Sequence, residues 1–235
     1  MDVRQFADGA AAVEACGGQI LDWLREAIAE KGRAALAISG GSSPRPMFER
    51  FAQTPFEWER VHLFWVDERG VPPTDAQSNF KFTQETWLRP GHFPAANIHR
   101  IQAELDPADA ASRYAAEIQK FFSLAEGELP HFDVIHRGMG PDAHTASLFP
   151  GEALIDNRTD IAAAVWVEKF QQWRITLLPG VLLAARHTAL LATGADKAAA
   201  LRSVLHSPFD PRHYPAQIAS GAGAVWFVDA VAQKG

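Results

Sequence analysis

The chain has 235 residues, 47% of them hydrophobic, and its 22 Lys and Arg against 28 Asp and Glu give a net charge of −6. That length and composition can fill the core of one large α/β domain, so we expect a single domain over residues 1–235. The negative charge and the lack of a basic run argue against a nucleic-acid partner, because binding nucleic acid requires cations clustered against phosphates.

The first half of the chain alternates helical patterns with short apolar runs. A helix is predicted over residues 10–31, with Gly17 and Gly18 weakening or bending its middle. The elements that follow are a strand at 34–39, a helix at 44–53, a strand at 61–66 and a helix at 78–88.

The second half continues the alternation. An amphipathic helix is predicted over 107–125, with Pro107 in its first turn. After it come strands at 131–137, 161–167, 174–178, 187–194 and 224–229, a short helix at 144–149, and helices at 179–186 and 195–206. This order is typical of an α/β fold, and we expect a doubly wound, mostly parallel sheet of about seven strands with helices on both faces, Rossmann-like in architecture.

Four polar segments each follow an apolar strand directly. They are "GGSSPR" at 40–45, "DERG" at 67–70, "GMGPDAH" at 138–144 and "GADK" at 194–197. In an open parallel sheet, ligands bind beyond the carboxyl ends of the strands. If the strands are near neighbours in one sheet, these segments open at the same edge, and we expect them to share a site.

The segment after the first of these strands is suited to an anion. Gly40 and Gly41 allow a ligand to approach the backbone, Ser43 is a good N-cap, and Pro44 suits the first helical position. Free amide groups and the helix dipole then favour an anion, typically phosphate. Ser42 and Arg45 are further candidate residues for binding it. The pattern is neither a P-loop nor G-x-G-x-x-G, and a plain strand-to-helix turn is the alternative.

The triplet Asp67, Glu68 and Arg69 puts two carboxylates and a guanidinium at a strand end. An arginine there can stabilise an oxyanion or hold an anionic substrate through two hydrogen bonds. Asp67 can orient that arginine, or it can orient His144. A solvated surface loop is the alternative interpretation.

The stretch "HRGMGPDAHTASLFPG" at 136–151 delivers one histidine on a loop rich in glycine and proline. Gly138 and Gly140 permit unusual backbone angles, and Pro141 stiffens the approach to Asp142, which is a candidate substrate-binding residue. His144 then falls in the first turn of the predicted helix 144–149, where the dipole disfavours imidazolium, so we expect a neutral general base. A purely structural histidine is the alternative.

Two further cations are candidate ligands for an anion. Lys197 lies in the first turn of a predicted helix, where a cation is disfavoured unless it faces an anion. Arg174 opens a predicted strand and can add positive charge to the same region. A solvated lysine is the alternative for Lys197.

Other kinds of site are not indicated. Cys16 is the only cysteine, so no internal disulfide can form, and a reducing compartment is expected. No stretch approaches the roughly 18 apolar residues of a spanning helix, and the N-terminus lacks a long apolar signal region, so we expect a cytoplasmic chain. No histidine pair has the i, i+4 spacing and acidic partner of a zinc site, and G-x-S-x-G is absent, so neither a metal nor a serine nucleophile is predicted.

Four segments, taken together, resemble the 6-phosphogluconolactonase family. They are "AISGGSSPRPMFERFA" at 37–52, "WERVHLFWVDERGVPPTDAQSN" at 58–79, "FDVIHRGMGPDAHTASLFPG" at 132–151 and "RITLLPGVLLAARHTALLATGADKAAAL" at 174–201. The likeness runs in order from about residue 30 to the C-terminal "AVWFVDAVA". It implies hydrolysis of 6-phosphogluconolactone to 6-phosphogluconate, the second step of the pentose phosphate pathway, without metal or cofactor.

The resemblance also implies residue roles. His144 corresponds to the proposed base, and Arg69 to the arginine that assists at the substrate, with Asp67 beside it. The Gly-Gly-Ser segment and Lys197 correspond to residues associated with phosphate binding. The expected partner is a small sugar-phosphate lactone, bound by a monomer or small homo-oligomer with no membrane attachment.

Three residues depart from the family pattern, which usually has glycine at Ala143 and apolar residues at His136 and Arg137. Because alanine tolerates positive φ poorly, the loop that carries His144 is expected to be shaped differently. His136 and Arg137 point to opposite faces of a strand, so one of them is expected in a less buried environment than usual.

Two other functions remain open from the sequence. A glucosamine-6-phosphate deaminase resembles the same fold and also uses acidic residues and a histidine. A sugar-phosphate sensing domain is the non-enzymatic alternative, although such regulators normally carry a basic helix-turn-helix segment, and none is visible in this sequence.

Overall fold

The structure, a computed structural model, describes residues 2–219 and 223–233. Its α-helices are α1 (Gly9–Lys31), α2 (Arg45–Gln53), α3 (Asn79–Thr83), α4 (Pro107–Phe122), α5 (Pro179–Ala184), α6 (Ala198–His206) and α7 (Ala230–Gln233). Its strands are β1 (Asp2–Phe6), β2 (Ala34–Ile38), β3 (Val61–Trp65), β4 (Asp67–Arg69), β5 (Ile98–His99), β6 (Val134–Gly138), β7 (Ala162–Val167), β8 (Gln172–Leu177), β9 (His187–Ala192) and β10 (Ala224–Asp229). Within these residues no helix combines the length and apolarity needed to cross a bilayer.

Seven strands form the central sheet, in the order β1-β10-β9-β6-β2-β3-β5. Every neighbouring pair in it is parallel. Along the chain, β2, β3 and β5 lead toward one edge, whereas β6, β9 and β10 lead toward the other. The direction reverses between the adjacent strands β2 and β6, and this switch point is where such sheets place their ligands.

The central strands are apolar because helices cover the sheet. All five residues of β2 and all six of β10 are buried, as expected for parallel strands enclosed on both faces. The long helix α1 packs on β2, β6, β9 and β10 and against α2. The predicted doubly wound, mostly parallel α/β fold is therefore confirmed.

A second, smaller sheet corrects the strand assignments. Segments 161–167 and 174–178, expected in the parallel sheet, form β7 and β8, and these pair antiparallel with β4 in the order β4-β8-β7. A connection of only four residues, 168–171, joins β7 to β8, which is too short for a parallel crossover. The central sheet still has seven strands because β1 and β5, neither of them predicted, pair at its two edges.

The predicted helix at 144–149 does not form. Thr145 and Leu148 pair in an isolated bridge, and Ala146 has φ +54°, which a right-handed helix does not allow. Side chains take up the polar groups instead, since Thr145 Oγ1 donates to the carbonyl of Gly138 and Ser147 Oγ donates to Asp67. Tertiary hydrogen bonds therefore override the local helical pattern.

The other helices agree with the sequence to within a few residues. α1 is continuous through Gly17 and Gly18, so the expected weakening does not break it. α4 ends three residues early, where Ser123 takes a left-handed C-cap conformation. The segment 78–88 is α3 followed by a π-helical turn at Gln84–Leu88, and 195–206 is a 3₁₀ turn, Ala195–Lys197, followed by α6.

The expectation for His136 and Arg137 is wrong. Both side chains are buried, with relative exposures of 1% and 0%, although they point to opposite faces of β6. No ring nitrogen of His136 and no guanidinium nitrogen of Arg137 has a hydrogen-bond partner in the described part of the chain. Since helices and loops cover both faces of the sheet at β6, neither side chain lies in the less buried environment that we expected.

Replacing Arg137 with methionine should stabilise the protein. A buried, unpaired guanidinium is disfavoured relative to an apolar side chain of similar length, and we expect the free energy of unfolding at pH 7 to rise by about 1–4 kcal/mol. Urea titration of wild type and Arg137→Met measures this, with Arg137→Lys as the control that retains a cation. A variant less stable than wild type would contradict this interpretation of Arg137.

The same replacement should change how stability depends on pH. Burial lowers the pKa of Arg137 to about 9, whereas an unfolded arginine keeps its ordinary value of roughly 12.5. Above pH 9 the unfolded chain binds more protons than the native state, so wild-type stability rises with pH relative to the variant. The advantage of Arg137→Met should therefore be largest below pH 9 and smaller at pH 10, in parallel urea titrations.

Candidate active site

A cavity of about 230 Å³ opens at the carboxyl ends of the central strands. Its lining comes from the loops after β2 and β6, from β4 and β8 of the small sheet, and from the turn before α6. The predicted site residues in the lining are Gly40, Gly41, Ser42, Ser43, Asp67, Arg69, His144, Arg174 and Lys197. Residues far apart in sequence thus meet at one edge of the sheet, at the switch point between β2 and β6.

The loop after β2 brings its backbone to the cavity. A Cβ atom at Gly40 would overlap the Oδ1 atom of Asn79, and Gly41 has φ +104°, so both positions require glycine. The amides of Gly40, Gly41, Ser42 and Ser43 donate to no other backbone carbonyl of the described residues. These amides are available to an anion. The helix begins one residue later than predicted, at Arg45, and Ser43 does not cap it.

The Asp-Glu-Arg triplet is a strand, β4, and its two carboxylates face different surroundings. Asp67 lines the cavity, and its Oδ2 accepts a hydrogen bond of 2.6 Å from Ser147 Oγ. Glu68 points away and accepts hydrogen bonds from the amides of Arg69, Asn79 and Phe80 and from Ser78 Oγ. Burial nevertheless raises the pKa of Glu68 above its ordinary value. Glu68 therefore fixes the start of α3 and takes no part in the cavity.

Two arginines of the cavity lie directly opposite each other, since Arg69 of β4 pairs with Arg174 of β8. Like charges across a strand pair repel, and both Nε atoms are buried without a partner among the described residues. Burial lowers the pKa of Arg174, an effect that Asp67 opposes and Arg69 reinforces. Together with Lys197, whose Nζ lies 3.0 Å from Asp196, these cations make the cavity suitable for an anionic ligand.

His144 is held by an acid rather than by a helix. Its Nδ1 lies 2.5 Å from Asp142 Oδ1, and its ring stacks on Phe149 with centroids 4.3 Å apart. The hydrogen bond to His144 is the main reason that the pKa of Asp142 lies well below its ordinary value. Lys169 holds the other carboxylate oxygen at 3.2 Å. Because Nδ1 donates to a carboxylate, Nε2 of the neutral ring is the free acceptor.

The helix dipole therefore gives no reason for a neutral His144, because residues 144–149 are not helical. The loop around it also contains Ala143, which has φ +66°. A non-glycine residue in this region is strained by roughly 1–2 kcal/mol, and Ala143 is buried against the apolar residues around Trp226. The loop thus keeps a left-handed turn at this position even though it lacks a glycine.

Two predicted binding residues lie outside the cavity lining. Arg45 is half exposed, lies 3.6 Å from Glu49, and stacks over the ring of Phe82 at 4.8 Å. Asp142 contacts His144 but lines an adjacent depression and not the cavity itself. Arg45 is thus held by contacts with Glu49 and Phe82, and Asp142 is in contact with the cavity residue His144.

Ten cavity residues were not identified as site residues from the sequence. They are Ser39, Pro44, Asn79, His136, Gly138, Met139, Gly140, Pro141, Ala146 and Leu191. Asn79 had a visible signal, because it opens a helix directly after a proline-bearing loop. His136 was noted only as a departure from the family pattern, since an apolar strand gives no sign of which face meets a cavity. Across residues 2–219 and 223–233, no group of three His, Cys, Asp or Glu side chains is placed to hold a metal.

Comparison with known proteins gives a consistent picture. Residues 7–227 match the family described as glucosamine-6-phosphate isomerases/6-phosphogluconolactonase. A 6-phosphogluconolactonase of Nostoc sp. is 37% identical, covering 91% of this chain and 89% of that protein, and one of Synechocystis sp. is 36% identical over 88% and 86%. The crystal structure of 6-phosphogluconolactonase from Thermotoga maritima superposes with a TM-score of 0.85 at 27% identity, covering 97% and 99%.

Gly140 should be irreplaceable in the loop that carries the histidine. A Cβ atom there would overlap Nδ1 and Cε1 of His144 and lie 2.7 Å from Asp142 Oδ1, so Gly140→Ala must displace the imidazole. Gly138→Ala is the matched control, because its Cβ would meet only the carbonyl oxygen of Leu191, at 3.9 Å. We expect Gly140→Ala to lower the free energy of unfolding by about 1–3 kcal/mol, measured by urea titration, and Gly138→Ala to change it by less than about 0.5 kcal/mol. Equal effects of the two substitutions would contradict this account of the loop.

Proposed function

The chain belongs to the glucosamine-6-phosphate isomerase and 6-phosphogluconolactonase family, and from this premise we propose that it hydrolyses 6-phosphoglucono-1,5-lactone to 6-phosphogluconate, the second step of the pentose phosphate pathway. It is an enzyme acting on a lactone ring, as its curated relatives are named. The observation that carries the proposal is the single cavity that joins an anion-binding loop, two opposed arginines and an acid-held histidine. The proposal includes a cytoplasmic location.

The phosphate group of the substrate binds at the loop after β2. The free amides of residues 40–43 can donate to its oxygens, as backbone amides do at many phosphate sites. Lys197 lines the same cavity from the turn before α6 and supplies a positive charge. The chain is negative overall, so its general electrostatic field does not attract phosphate. The amides and the lysine that line the cavity supply the attraction locally.

His144 serves as the general base, acting through Nε2 on a water molecule. Asp142 fixes the ring and its tautomer through Nδ1, which leaves Nε2 as the acceptor of a ring that lines the cavity. The proton of the attacking water passes to Nε2 while the water oxygen bonds to C1 of the lactone. General-base assistance of this kind is worth roughly 10²- to 10⁴-fold in rate.

Arg69 and Arg174 stabilise the negative charge that develops on the carbonyl oxygen. Both line the cavity with their Nε atoms already buried, so they need little reorganisation when the charge appears. Asp67, which is buried and accepts a hydrogen bond from Ser147, contributes a negative charge that favours the charged form of Arg174. Collapse of the tetrahedral intermediate breaks the bond between C1 and the ring oxygen, which takes the proton from His144 and leaves as a hydroxyl group.

Lactone turnover by the purified protein is the direct test. We expect kcat for acid release from freshly generated 6-phosphogluconolactone to exceed the first-order rate constant of spontaneous hydrolysis by at least about a hundredfold, since base assistance alone contributes roughly that factor. A continuous pH-indicator assay measures it against a no-enzyme control. Ammonia release from glucosamine 6-phosphate in place of lactone turnover would support the isomerase branch of the family. Ligand-induced thermal stabilisation without any turnover would support a sensing domain.

His144→Asn should lower kcat by at least about a hundredfold while the protein stays folded, because the base is lost and the shape is nearly kept. His213→Asn is a matched control, since His213 also has its Nδ1 near an aspartate, Asp210, at 2.6 Å, but is largely exposed and outside the cavity lining. Steady-state kinetics on both variants, with thermal melts to check folding, decide the point. Near-normal turnover by His144→Asn would remove His144 from the mechanism.

A further inference from the structure

His136 lies beneath the cavity without any hydrogen-bond partner. It lies on β6, where it pairs with Ile38 of the neighbouring strand β2. Its ring meets the ring of Phe48 edge-on, with centroids 6.2 Å apart. The residue is 1% exposed and belongs to the cavity lining. Neither Nδ1 nor Nε2 is paired within the described part of the chain, although buried polar groups in native proteins are paired in about nine cases out of ten.

Unpaired polar atoms concentrate at this one cavity. Nine described residues have a buried side-chain nitrogen or oxygen without a partner, and five of the nine line the cavity. Two of the five are Arg69 and Arg174, which face the anion. The other three are neutral groups: Ser39 Oγ, Asn79 Oδ1 and the two ring nitrogens of His136. Such a cluster is expected where a polar ligand completes the hydrogen bonds.

The chemistry of His136 differs from that of the cations beside it. Burial lowers its pKa to about 4, and no neighbouring charge contributes to that shift. The ring is therefore neutral near pH 7 and offers one donor and one acceptor. A half-turn about the Cβ–Cγ bond exchanges its nitrogens with carbons while keeping the outline of the ring, so the edge that meets the cavity can carry nitrogen without repacking against Phe48.

We propose that His136 is a substrate-binding residue that, with Ser39 and Asn79, recognises the ring hydroxyl groups of a polyhydroxylated sugar phosphate. A hydroxyl group donates one hydrogen bond and accepts others, which matches a neutral imidazole with one donor and one acceptor. The phosphate is left to the amides of the loop after β2 and to the cations. The inference rests on the proposed function, because it assigns the sugar part of the same substrate to a particular part of the same cavity.

This arrangement also explains why a polar residue is kept on an apolar strand. An unpaired buried polar group destabilises the free protein, so His136 is unfavourable until a ligand pairs with it. A site built to hydrogen-bond hydroxyl groups rejects analogues without them, because its own polar groups then remain unpaired. His136 thus favours sugar phosphates over simple phosphates at the expense of stability.

Binding of two probes to wild type and to His136→Leu tests the inference. Isothermal titration with 6-phosphogluconate should show the dissociation constant rising by roughly 5- to 150-fold in the variant, the effect of about 1–3 kcal/mol from unpaired hydrogen-bonding groups. Inorganic phosphate, which has no ring hydroxyl groups, should bind both proteins equally within about twofold. In thermal melts without ligand, His136→Leu should be at least as stable as wild type, because an unpaired buried group has been removed.

Arg137→Met is the matched control, since Arg137 is the next residue, equally buried and unpaired, but outside the cavity lining. It should leave the affinity for 6-phosphogluconate unchanged. Unchanged 6-phosphogluconate binding by His136→Leu would overturn the inference, and so would an equal loss of affinity for both probes. Failure of the proposed function is distinguishable, because it would show as absent lactone turnover by wild type whatever the binding results.

Discussion

The parallel pairing of β2 with β6 is the constraint on which the site depends. Their register sets Ile38 beside His136, so the two strands end side by side at the point where the sheet reverses direction. The loops that leave them must diverge, and the gap between them becomes the cavity. One loop contributes backbone amides and the other contributes His144 with Asp142. The hydrogen bond from Ser39 N to the carbonyl of His136 ties the two loops together at their base.

The small antiparallel sheet supplies the two arginines of the cavity, one from β4 and one from β8. Pairing of β4 with β8 sets Arg69 opposite Arg174, and this repulsive arrangement is tolerated because the two strands are fixed by hydrogen bonds outside the cavity. Glu68 contributes to that rigidity by capping the start of α3 from beneath β4. The connection from β7 to β8 also brings Lys169 to Asp142. Positive charge is thus concentrated in a chain of net charge −6 by topology and not by composition.

The cavity is unfavourable to the free protein in several independent ways. It collects opposed arginines, buried polar atoms without partners, and a loop with left-handed angles at Ala143 and Ala146. An apolar residue or glycine would relieve each of these features, and a ligand in the cavity would offset the unpaired polar atoms and the arginine charges. Such local conflict with the rules of folding is expected at functional sites, while the rest of the sheet satisfies those rules. Arg137 is the charged exception, because its guanidinium is buried and unpaired away from the cavity.

The sequence by itself determined the α/β class, most helices and strands to within a few residues, and nine residues of the cavity lining, because amphipathic period, apolar runs and glycine-rich strand ends are local signals. Only the tertiary structure decided that 161–178 forms an antiparallel hairpin, that 144–149 is a loop, that Arg45 lies outside the cavity, and that His136 lies beneath it. These outcomes depend on which strands become neighbours and on hydrogen bonds between distant residues, such as Ser147 with Asp67. Local pattern carries no information on either, because the competing contacts exist only once the chain is folded.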